Sequence, residues 1–97
     1  MSYEADLELV RAACAGDSAA FAKLYERYLP PVQALAHARS EKPAEAADLT
    51  RDVLVAVFDH LDGYSGRVPL AAWVLVVARQ VCEQRHASAS ERIARSA

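Results

Sequence analysis

Glycine is scarce, with three residues in 97, and isoleucine occurs once. No run of β-branched residues alternates with polar ones between turn residues, which excludes a sandwich, a barrel or a parallel sheet. The two cysteines, Cys14 and Cys82, have no Cys-x-x-Cys or Cys/His spacing around them and read as small buried hydrophobes in a reducing compartment. His37, His60 and His86 are scattered, with no histidine or carboxylate at ligand spacing, so neither a metal nor a cofactor is implied. No uncharged run is longer than the 11 residues of Val68 to Ala78, too short to span a bilayer, and no basic segment leads into an apolar one at the N-terminus. These absences predict a cytoplasmic chain with no membrane contact.

What is present is alanine: 21 of the 52 apolar residues, leaving 31 larger ones for a core. That composition favours helix, and the length suits a single domain. The expected fold is all-α, a compact bundle of about four helices over residues 1–87, with 88–97 a tail or the start of a linker.

Punctuation places the helices. Leu7, Val10 and Cys14 form an apolar stripe on a first helix of about residues 4–15 that stops at Gly16. Asp17 or Ser18 caps the second, where Phe21, Leu24, Tyr25 and Tyr28 share a face until Pro30 and Pro31 impose a kink or a restart. Val32, Leu35, Ala36 and Arg39 carry it on. Pro43 opens a third helix that runs to about Leu61, with Glu45 and Asp48 near the positive end of its dipole. Two glycines and a serine between Gly63 and Val68 make a loop, and Pro69 opens a fourth helix that reaches at least His86. Beyond Ala87, Ser88 to Glu91 could cap one more short turn, and the Ala/Ser composition suits a linker equally well.

Net charge is −2, so no strong global field attracts a polyanion. The distribution is uneven. Residues 1–48 carry five basic and eight acidic side chains, residues 49–97 six and five, and every basic residue of the second half is arginine. The third helix has one apolar stripe of Leu49, Val53, Ala56 and Val57 and a second of Leu54, Phe58 and Leu61, so one stripe wants a partner. On the fourth helix Leu75 and Val76 fall outside the core stripe and flank Arg79.

The order Leu9-Val10, Gly16-Asp17, Ala20-Phe21, Leu24-Tyr25, Tyr28, Val32, Leu35-Ala36 begins a longer pattern. It continues with Ala47-Asp48-Leu49-Thr50-Arg51-Asp52-Val53, Leu61-Asp62-Gly63-Tyr64-Ser65-Gly66, Ala72-Trp73-Val74 and Val77-Ala78-Arg79. Over about residues 7–86 the chain resembles region 2 of bacterial sigma factors of the sigma-70 family, of the extracytoplasmic-function type. The resemblance implies a non-enzymatic promoter-specificity subunit whose partners are the RNA polymerase core and the non-template strand of the −10 element. Carried over, Asp48, Leu49, Arg51, Asp52 and Val55 would dock on the coiled coil of the largest polymerase subunit. Tyr64, Ser65, Gly66 and Arg67 would capture a flipped base, and Arg79, Gln80 and Arg85 would hold the melted strand. Such a site needs an aromatic face, backbone donors and a few cations along a groove.

Departures from the family pattern lie where nucleic acid would bind. Arg51 replaces the usual glutamine, Leu75-Val76-Val77 replaces a usual basic position, and Gln84 replaces a carboxylate. A groove of Arg67, Arg79, Arg85 and Arg92 predicts weak intrinsic DNA affinity, with a salt slope of about 3 in magnitude on single strands. In the family a second helical domain reads the −35 element, and the sequence is compatible with a piece of such a protein or with a stand-alone region-2-like one. An alternative reading is a degenerate sigma-like module that binds polymerase or an anti-sigma factor and does not melt DNA. Exposed Leu75 and Val76 favour that alternative, buried ones the melting domain. Asp48 and Asp52 share a helical face, but with no histidine and no third acid in register they suit docking better than catalysis.

Overall fold

The computed structural model describes the backbone of residues 3–96 and the side chains of residues 3–85. Four helices carry the chain: α1 (Glu4–Cys14), α2 (Ser18–Ala38), α3 (Pro43–Asp59) and α4 (Leu70–Ser96), with one 3₁₀ turn, Leu61–Gly63, after α3. No strand occurs among the described residues. The all-α bundle expected from composition is the observed fold.

Local chemistry accounts for the breaks. Gly16 takes φ +97°, and the amides of Gly16 and Asp17 return to the carbonyls of Ala13 and Ala12, closing α1. Asp17 Oδ1 then accepts from the amides of Ala19 and Ala20, so the cap of α2 is Asp17 rather than Ser18. Pro43 stands in the first turn of α3, and Glu45 Oε2 accepts from the Glu41 amide just outside it. Pro69 sits immediately before α4, and its carbonyl accepts from the amides of Ala72 and Trp73.

Pro30 and Pro31 do not restart α2, which is a single helix through both. Both prolines are exposed, as are Glu26 and Arg27, whose carbonyls lose their helical donors. The backbone of α4 runs on past residue 87, through the stretch where a tail or linker was expected. Arg92 and the other side chains beyond Arg85 lie outside the described residues.

α2 packs on α3, α3 on α4 and α1 on α2. The shared core is built on Val10, Leu24, Val53, Val57 and Leu70, all nearly inaccessible, and Cys82 belongs to it. Cys14 does not: it is exposed, because the stripe of α1 turns inward through Leu7, Val10 and Ala13 instead. The one buried polar side chain among the described residues, Thr50, donates its hydroxyl to the Ala46 carbonyl at 2.8 Å, which satisfies it within its own helix.

Candidate functional site

α2 and α3 meet along an open groove of about 660 Å³, walled by Phe21, Tyr25 and Leu29 from one helix and by Arg51, Val55 and Phe58 from the other. The rings of Phe21 and Phe58 lie 4.4 Å apart between centroids, and Tyr25 stacks on Phe58 at 6.4 Å. Phe21 and Tyr25 nevertheless keep 43% and 41% of their surface accessible. Of the second stripe, Leu54 and Leu61 are buried, while Phe58 is partly exposed, and Leu54 and Phe58 both line the groove.

At 100° per residue the outward side of α3 presents Asp48, Arg51, Asp52 and Val55 on one arc, and all four are exposed. Leu49 is not among them. It lies at the far edge of the wheel, is 5% exposed and belongs to the core, so direct docking through Leu49 is corrected to a packing role.

The segment after α3 is built around Tyr64, which is 4% exposed. Its hydroxyl donates to the Val68 carbonyl at 2.6 Å, and its ring meets Trp73 edge-on at 5.9 Å. Burial first, and the nearby Asp6 carboxylate second, push the phenol above its ordinary pKa and keep it a neutral donor. Tyr64 thus lends no open aromatic face to a flipped base here, because the ring that was expected to face outward closes the loop from inside. Gly66 is also buried, at φ +77°, leaving Ser65 and Arg67 as the exposed members of the expected set.

On α4, Leu75 and Val76 are 42% and 53% exposed and flank Arg79, with Gln80 beside them on the same outward face. Arg85 lies about 120° around the helix from Arg79 and faces α3. Its Nε and Nη2 donate to Asp52 Oδ2 at 2.9 and 2.6 Å. The structure thus separates Arg85 from Arg79 and Gln80, and joins it to a residue expected to serve polymerase docking. Sequence reading missed Phe21 and Tyr25 as groove walls. Their spacing of four residues, facing an aromatic on α3, was the available signal, but it is indistinguishable from core packing.

A family model described as Sigma-70 region 2 matches residues 24–92, most of the chain. The chain belongs to the sigma-70 region 2 family. A search of curated proteins finds no match, and neither does a search of solved structures. The sigma region 2 domain is a non-enzymatic part of a transcription factor that binds RNA polymerase and recognises promoter DNA. Of its four helices, only the first lies wholly outside the matched span. No helix among the described residues is long and apolar enough to cross a membrane, and none of those residues forms a cluster able to hold a metal ion.

Proposed function

We propose that this region 2 domain works as the polymerase-docking and −10-melting part of a cytoplasmic, extracytoplasmic-function-type sigma factor. The observation that carries the docking half is the exposed arc of Asp48, Arg51, Asp52 and Val55 bordering the aromatic groove. Alternating charge around an open apolar trough suits a helical partner such as the polymerase coiled coil. Leu49 supports that arc from beneath.

For DNA, Ser65 and Arg67 project from the loop, and Arg79 and Gln80 from α4, while Tyr64 and Gly66 set the loop's form. Neither Arg67 nor Arg79 makes an ion pair with any described residue, so both are free to meet phosphates. Two or three such charges give a salt slope of only about 2 on single strands, so strand capture depends on polymerase holding the domain in place. Co-purification with RNA polymerase core, followed by binding of the complex to a single-stranded −10-type oligonucleotide over a salt series, tests both halves. Retention on core together with salt-sensitive strand binding is the expected result; failure to bind core removes the docking assignment.

A second reading rests on Leu75 and Val76. Both are uncovered, and a strand-binding helix has little use for two aliphatic side chains around its one central arginine. They favour a protein partner on α4, of the anti-sigma kind, in a domain that has given up melting. Core binding without strand binding decides for it.

A further inference from the structure

The first turn of α1 holds the segment that leads into α4 at several points. The Tyr3 amide donates to the Gly66 carbonyl at 3.0 Å. Asp6 Oδ2 accepts from the Leu70 amide at 3.0 Å, across 64 residues of chain. Leu70 is the first residue of α4, so this carboxylate satisfies one of the four amides that a helix start leaves without a partner. Leu7 lies directly over Gly66, where an added Cβ would come within 3.2 Å of its Cδ2. From the other side Arg27 of α2 approaches Asp6 Oδ1 at 3.6 Å, which orients the carboxylate.

Between the 3₁₀ turn and α4 the chain has no regular hydrogen-bond ladder of its own. Its shape is decided by what grips it at the middle and at the end. Tyr64 secures the inside through Val68, and α1 secures Gly66 and Leu70. We propose that Asp6 is a positioning residue: with Tyr3 and Leu7 it sets the form of residues 64–69, and through that form the placement of Ser65 and Arg67 toward the DNA strand. The placement half rests on the reading of this loop as a strand contact. The helix that lies outside the family match therefore shapes the loop from which that contact would be made.

The test compares Asp6→Ala with Asp6→Asn in the full 97-residue chain. Asparagine keeps an oxygen acceptor for the Leu70 amide and loses only the ionic contact with Arg27, whereas alanine loses both. Three readouts are taken: amide exchange over residues 66–70, emission of Trp73, which is the only tryptophan and touches Tyr64, and retention on polymerase core with and without a −10-type oligonucleotide. Asp6→Ala is expected to speed exchange of the Leu70 amide about fivefold or more and to shift Trp73 emission. It should also weaken strand binding several-fold while leaving core retention unchanged, and Asp6→Asn should restore most of each. If Asp6→Ala does not hold its fold, Tyr3→Pro deletes the single donor to Gly66 without touching α4, and exchange over 66–68 is read instead. Unchanged exchange and emission in the variant read overturn the clamp, whatever strand binding does. A released loop with unchanged strand binding supports the clamp and overturns the DNA reading of the loop.

Discussion

Where α1 meets the start of α4, backbone and carboxylate exchange hydrogen bonds across more than sixty residues, whereas along α2 and α3 the rings of Phe21 and Tyr25 meet Phe58 and themselves remain exposed to solvent. The first region turns its polar groups inward: Tyr64 and Gly66 are buried, and of its larger apolar side chains Tyr3 and Val68 remain accessible singly, with no ring packed on another outside. The second spends its apolar groups outward. Directional bonds fix a shape, and uncovered aromatic surface invites a partner, so one end of the domain is built for form and the other for association.

Substitutions should separate the two. Leu70→Ala removes a fully buried side chain at the closed end and should cost about 3 kcal/mol in denaturant unfolding, the largest effect foreseen. Gly66→Ala should cost about 2 kcal/mol, since it combines a positive φ with crowding against Leu7; an unchanged melting temperature would mean that the loop has room to yield. Phe21→Ala, by contrast, should cost about 1 kcal/mol or less, because the ring is already half solvated, yet it should sharply reduce retention of polymerase core. If the unfolding cost of Phe21→Ala matches that of Leu70→Ala, the groove is core and the contrast fails.

Asp52→Ala should change stability by less than about 1 kcal/mol, because its pair with Arg85 is exposed, while testing whether that residue contributes to docking. The smallest effect is alkaline. Burial raises the phenols of Tyr28 and Tyr64, so the folded state resists their ionisation while the unfolded chain ionises near pH 10. Their contribution is complete below that pH and is lost as pH climbs toward the folded values. Urea midpoints for the wild type should fall above pH 10, and Tyr64→Phe should make that fall shallower.

Gly16, Asp17 and Pro43 marked helix ends legibly, because a cap is a contact between neighbours in sequence. The stop between α3 and α4 was legible for the same reason. The resemblance, which carries roles and not burial, set Leu49 and Tyr64 outward, and the stripe of α1 set Cys14 inward because a periodic stripe names a face without naming what covers it. Pro30 and Pro31 suggested a kink or a restart, but both are exposed and one helix continues through them, with residues on either side packed in the core. The family resemblance supplied the docking and strand residues, and it could not show that Arg85 turns away from Arg79 to pair with Asp52.

Local chemistry alone determined the all-α class, the number of helices and the order of motifs that marks the sigma region 2 family. These follow from propensity, capping and spacing within a few residues. Only the tertiary structure decided which apolar face stays open, which arginines remain free for phosphate and that Asp6 caps a helix 64 residues away. Each of those depends on how whole helices rotate against one another to bury the most apolar surface, a choice made by the assembled core and by no single segment.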